Sequence, residues 1–193
     1  GYLRAEDLAT YEAEWVTPVS RSYHGFEICE IPPNGHGIVA LMALALASRL
    51  PIKNRAEPRS VHYAIEAMKR AFVDGMEYIT DPRYMKVDVN DLLSDAYADR
   101  RAQGLTEDAE MPRAIDPDCG GTVYLCAADG EGNMVSFIQS NFRGFGSGIV
   151  IPGYGISFND RASSFRLDEK AANVLVPGKK PYHTIIPEIG RAS

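Results

Sequence analysis

The ten residues from Ile38 to Ala47 carry no polar side chain. A helix built from them is apolar on every side and must be covered on every side. The run ends at Ser48 and Arg49, well short of the ~20 apolar residues that a bilayer span needs. The chain is therefore expected to stack layers around a buried helix over 38–50. Pro51 closes that helix, and the loop Pro32-Pro33-Asn34-Gly35-His36-Gly37 opens it.

The rhythm around this helix changes along the chain. A short amphipathic turn or two covers 6–14, and alternation over 16–31 predicts two strands broken at His24-Gly25. Ser60 is placed to cap a helix over 61–78, with Ala64, Ile65, Met68, Phe72 and Met76 as its apolar stripe. Asp81-Pro82 stops it, and Asn90 would cap a further helix over 91–103. Residues 104–121 are rich in Gly, Pro and acid and read as a loop. From Thr122 the pattern turns to strands. A hairpin is predicted from 122–128 and 134–140 around Asp129-Gly130-Glu131-Gly132-Asn133, with further strands over 149–151, 156–158 and 184–189. Helical layers beside a hairpin-rich sheet define an α/β (α+β) class with antiparallel strands.

The charge distribution changes at the same place. Of the 20 basic and 26 acidic residues, 13 and 20 lie in residues 1–121 (net −7), and 7 and 6 in residues 122–193 (net +1). A net charge of −6 without clustered Lys and Arg argues against a hold on the phosphate backbone of nucleic acid. Cys29, Cys119 and Cys126 are odd in number and lack CxxC spacing, and His24, His36, His62 and His183 lack metal-ligand spacing. No disulfide framework, metal site or cofactor is expected. The apolar neighbours of Cys29 and Cys126 predict small buried side chains.

Chemistry has few places to sit. At Gly120-Gly121-Thr122, two glycines allow close backbone approach and the next residue brings a hydroxyl to the start of a strand. If the bond before Thr122 were cut, the new α-amine would lie beside its own Oγ and could activate it as a nucleophile. A strand starting after a turn is the commoner meaning of the same residues. Ser140-Asn141 with Gly144, Gly146 and Gly148 could hold an anion or orient a carboxylate, or could form a flexible connection. Asn159-Asp160-Arg161 has the composition of a surface turn, with Asp160 and Arg161 free to pair. Lys179-Lys180 with His183 fits a solvated face with a structural histidine as well as it fits a site.

Taken in order, several stretches resemble the gamma-glutamyltransferase family of N-terminal nucleophile hydrolases. In the first part they are Glu6-Asp7-Leu8-Ala9-Thr10-Tyr11, the 32–37 loop, 62–72 and Asp81-Pro82-Arg83-Tyr84. In the second they are Thr122-Val123-Tyr124-Leu125, 129–133, Gly144-Phe145-Gly146-Ser147-Gly148 and Pro177-Gly178-Lys179-Lys180-Pro181. The resemblance implies an αββα sandwich, here partial, and a precursor cut between Gly121 and Thr122 into subunits. Residues 1–121 would belong to the mainly helical large-subunit region and 122–193 to the mainly stranded small-subunit region, within one structural domain. Thr122 would be the nucleophile of an acyl-enzyme mechanism, with Ser140 as the family hydroxyl beside it. The match is expected to start part-way through the large subunit and to stop before the family's oxyanion Gly-Gly, so that this segment alone has little activity.

The family's substrate-binding positions depart from the transpeptidase pattern. Phe142 stands where Asn or Glu would hold substrate, with Asn141 adjacent; Arg161 replaces Gln or Glu, and Ser164 replaces the acid that pairs with a glutamyl ammonium. His183-Thr184 replaces a Ser-Ser pair. Losing a carboxylate and gaining a guanidinium favours a carboxylate over an ammonium. The pattern resembles the divergent branch of oxamate amidohydrolase and cephalosporin-acylase-like members. It implies amidohydrolysis of a carboxylate-bearing small-molecule amide, with gamma-glutamyl transpeptidation or glutathione hydrolysis, and a non-catalytic fragment or binding domain, as the alternatives. Free cysteines favour a cytoplasmic location over a periplasmic or secreted one.

Overall fold

The computed structural model describes residues 4–54, 56–109 and 122–185. Its element order is α1 (Ala5–Ala9), β1 (Val19–Tyr23), β2 (Phe26–Glu30), α2 (Gly37–Ala47), α3 (Pro58–Tyr78), α4 (Val89–Leu92), α5 (Asp95–Ala102), β3 (Thr122–Ala128), β4 (Met134–Ser140), β5 (Val150–Ile151) and β6 (Ile156–Ser157). Short 3-10 turns lie at Pro82–Tyr84 and Arg161–Ser164. The mixed class is as expected. Among the described residues the strands pair as three antiparallel hairpins, β1-β2, β3-β4 and β5-β6.

The apolar run forms α2, which buries Ile38, Leu41, Met42 and Leu46 among others, while the stripe of Ala40, Leu44 and Ala47 is half-buried. Each such burial stabilises the fold by roughly 1.5–3 kcal/mol. One side of α2 packs Ile38, Val39, Met42 and Ala43 with Ala71, Ile79, Leu92 and Tyr182; the other packs Ala45 and Leu46 with Ala67 and Ala98. The helix stops at Ser48, whose hydroxyl donates to the Ala45 carbonyl, three residues ahead of Pro51.

The long helix differs from expectation in its start and its face. α3 begins at Pro58, a residue suited to the first turn. Ser60 lies inside it and accepts from the backbone N–H groups of Lys53 and Asn54. The buried face holds Ser60, Tyr63, Glu66, Ala67, Ala71, Asp74 and Gly75; of the expected stripe, Phe72 and Met76 pack half-buried against the core while Ala64, Ile65 and Met68 are exposed. Close approach explains the choice: a Cβ on Gly75 would stand 2.4 Å from Val39 Cγ2. The small residues Ala67, Ala71 and Gly75 let α3 lie close against α2. The buried acids are paired, Glu66 with Lys69 and Asp74 with Arg101.

The single helix expected over 91–103 is two. Asp88 caps α4 through the Asn90 N–H, and Ser94 caps α5 through the Tyr97 N–H. Thr184 and Ile185 are not in a strand, His183 forms one parallel bridge with Gly35, and 186–189 lie outside the described residues. Cys29 and Cys126 are exposed, because both hairpins show an open face, and Cys119 lies outside the described residues.

Candidate active site

The hairpin fixes the first pair of residues. Seven-residue strands and the turn at 129–133 put Thr122 directly opposite Ser140. The turn is held by Asp129, whose carboxylate accepts from the N–H groups of Glu131 and Asn133 and from the Asn133 amide. At the far end of β4, Ser140 Oγ accepts the Phe142 N–H at 3.0 Å. Gly121, and with it the expected cleavage junction, lies outside the described residues.

Beyond Ser140 the chain is latched to the segment that carries Arg161. Asn141 Nδ2 donates to Ser157 Oγ at 2.9 Å, and its carbonyl accepts the Asp160 N–H. Arg143 N–H donates to Asp160 Oδ1, and the Ser147 N–H and hydroxyl both donate to the Phe158 carbonyl. Gly146 has φ +65°, and a Cβ there would stand 2.4 Å from that same carbonyl oxygen. Only glycine allows this approach.

Arg161 is buried rather than part of a surface pair with Asp160. Its Nη1 donates to Thr184 Oγ1 at 3.0 Å, and its guanidinium carbon lies 5.1 Å from the centroid of the Phe142 ring. No acidic side chain among the described residues forms an ion pair with it. Burial pulls its pKa below the usual range, and the negative charge of Asp160 opposes that pull. His183 is beside it. Burial, reinforced by the Arg161 charge, lowers the imidazole to about 4, so His183 is neutral at neutral pH. Its Nδ1 accepts the Ile185 N–H, and its backbone N–H donates to the Asn34 carbonyl.

Arg161 and His183 line one wall of a cleft of about 480 Å³ whose other walls include Tyr11, Asn34, Asn159 and Lys180. Lys180 is paired with Glu14, leaving Arg161 as the cleft cation without a carboxylate among the described residues. Lys179 is not solvated: it is buried, donates to the Ala172 and Val174 carbonyls and lies over the Tyr84 ring.

Of the expected site residues, Arg161 and His183 line the cleft, Thr184 is bonded to Arg161, and Thr122 and Ser140 are register partners on the β3-β4 hairpin. Asn141 and Ser164 are engaged elsewhere, Asn141 in the latch and Ser164 donating to the Tyr182 carbonyl. Phe142, Asn34 and Asn159 are additions. The 32–37 loop was read only as the entry to a helix, and no local pattern marks an aromatic ring as a partner for a distant guanidinium.

A strand-opening threonine thus stands in register with a serine on the β3-β4 hairpin, and a buried cation lines the cleft. Residues 1–190 match the gamma-glutamyltranspeptidase family, and the chain belongs to it. It is 34% identical over 185 residues to the oxamate amidohydrolase proenzyme of Klebsiella pneumoniae subsp. pneumoniae, covering 96% of this chain and 35% of that protein. It is 32% identical over 188 residues to the glutathione hydrolase-like YwrD proenzyme of Bacillus subtilis, covering 96% and 36%. The crystal structure of cephalosporin acylase from Bacillus halodurans matches with a TM-score of 0.86 and 51% identity, over 96% of this chain and 34% of that one. The chain thus spans about a third of the length of these relatives. Among the described residues no helix is long and apolar enough to cross a membrane.

Proposed function

We propose that this chain carries the nucleophile of a self-processing amidohydrolase that cleaves amides whose acyl group bears a carboxylate. The observation that carries the reading is Arg161, a buried guanidinium with a neutral hydroxyl and an aromatic ring as its side-chain partners. A buried charge without a counter-ion is costly, and an incoming carboxylate supplies one through charge-assisted, bidentate hydrogen bonds. A glutamyl α-ammonium gains no such partner here, since Ser164 occupies the position of the family's acid and is bonded to Tyr182.

In the mechanism, cleavage of Gly121-Thr122 frees the Thr122 α-amine. The Thr122 hydroxyl attacks the amide carbonyl and its proton passes to that amine. The tetrahedral intermediate collapses to acyl-Thr122 as the leaving amine takes the proton. Water then adds to the ester, returns a proton to Thr122 Oγ and releases the acid. Ser140, across from Thr122, is assigned to hold the nucleophile in place, and Arg161 with Thr184 to hold the acyl carboxylate.

The test uses the full-length protein. Intact mass is expected to show two fragments split at Gly121/Thr122, and a Thr122→Ala variant a single uncut chain. The processed protein is expected to hydrolyse succinyl p-nitroanilide in preference to butyryl and gamma-glutamyl p-nitroanilide. An uncut wild-type chain, or faster turnover of the gamma-glutamyl compound, would overturn the proposal.

A further inference from the structure

Phe142 is a non-glycine residue at φ +76°, in the left-handed region that bulky side chains avoid. Such a conformation persists only where its surroundings hold it. They do so here on both sides. The Phe142 N–H is bonded to Ser140 Oγ, and the flanking residues Asn141 and Arg143 are tied to Ser157 and Asp160. In this conformation the ring meets the guanidinium of Arg161 at 5.1 Å and that of Arg143 at 5.4 Å. A polar residue or a short side chain at 142 would offer no such face to a cation.

We propose that Phe142 is a positioning residue that fixes the Arg161 guanidinium on its ring and so sets where the substrate carboxylate is held relative to the Thr122–Ser140 pair. The inference rests on the carboxylate-binding role of Arg161 given above. Among the described residues the Arg161 side chain has one hydrogen bond, to Thr184, which leaves its remaining N–H donors to the ligand. One hydrogen bond does not set the plane of a guanidinium; an aromatic face adds a second constraint without using a donor. Because the Phe142 N–H is also bonded to Ser140 Oγ, the ring that holds the guanidinium and the serine opposite Thr122 share one connection two residues long. Phe142 acts through Arg161 and does not touch the acyl group.

The experiment compares Phe142→Leu, Phe142→Tyr and Arg161→Met in the full-length processed enzyme, with succinyl and butyryl p-nitroanilide as paired probes. Leucine keeps apolar bulk but has no π face; tyrosine keeps the ring. The expected result for Phe142→Leu is a roughly tenfold rise in KM for the succinyl compound, a smaller fall in kcat, and little change with the butyryl compound. Phe142→Tyr restores the succinyl KM to within about threefold of wild type. Equal losses on both probes in Phe142→Leu, or a leucine variant as selective as wild type, would overturn the inference. If Phe142→Leu fails to process by intact mass, the decision passes to Phe142→Tyr and Phe142→Trp, of which both must keep succinyl selectivity. If Arg161→Met itself leaves the succinyl-to-butyryl ratio unchanged, the underlying carboxylate reading fails. If Arg161→Met lowers that ratio and Phe142→Leu does not, only the role of Phe142 fails.

Discussion

Replacing Arg161 by methionine separates a ligand-binding cation from a structural one, because the two roles predict opposite effects on stability. Methionine fills similar space with a flexible apolar chain. The substitution removes the hydrogen bond to Thr184, worth about 1.5 kcal/mol for a charged donor, and the contact with the Phe142 ring, worth about 1 kcal/mol. Against this, it removes the desolvation of a buried guanidinium without an acidic partner among the described residues, which is several kcal/mol. The balance is a variant between about 1 kcal/mol less stable and about 2 kcal/mol more stable than wild type, read from urea midpoints at constant m-value. Activity moves the other way. Losing a bidentate, charge-assisted contact of about 1.5–3 kcal/mol lowers kcat/KM for the succinyl probe about 10- to 100-fold, with under threefold change for the butyryl probe. Destabilisation above about 3 kcal/mol, with equal losses on the two probes, would show that Arg161 braces the fold and would refute the reasoning.

Gly146→Ala is expected to destabilise by about 2–4 kcal/mol, combining the left-handed φ with a Cβ 2.4 Å from the Phe158 carbonyl oxygen. Relief requires shifting the segment that leads to Arg161, so the same variant should lose succinyl selectivity in the paired assay. Acidification is expected to destabilise the protein through His36 and His183, whose imidazoles burial lowers to about 4. The unfolded chain binds those protons first, so their contribution is complete above about pH 6.5 and is lost as pH falls toward 4. For His36, 4% exposed, this amounts to up to ~3 kcal/mol. Urea midpoints across that range should show a shallower slope in His36→Gln.

The parts of the fold that were legible in sequence are those fixed by local pattern. α2 could be read because a helix apolar on every side has no orientation to choose, and the 122–140 hairpin because a Gly-containing turn sits between two equal apolar strands. The opposition of Thr122 and Ser140 follows from that symmetry. The face of α3 was legible only in part: Phe72 and Met76 pack against the core, but in place of Ile65 and Met68 packing distance selected Ala67, Ala71 and Gly75. The division of α4 from α5 turned on Asp88 and Ser94 outcompeting Asn90 as caps. At the site, the substitution pattern indicated Arg161 as an anion holder. Its burial, its ring partner and the commitment of Asn141 and Ser164 to structural bonds depend on segments brought together from 20 or so residues apart, which no spacing rule encodes.

The segment 173–183 clasps the helical part of the chain. Tyr182 packs in the α2 core with its hydroxyl on His36, the Asn34 amide donates to the Pro181 carbonyl while its backbone carbonyl accepts the His183 N–H beside the Gly35 bridge, Asp81 accepts the Lys180 N–H, and Thr80 donates to Asn173. A cut anywhere between residues 109 and 122 severs none of these. The two polypeptides would remain a complex whose integrity now follows mass action, so that its melting temperature falls on dilution while that of the uncut chain does not.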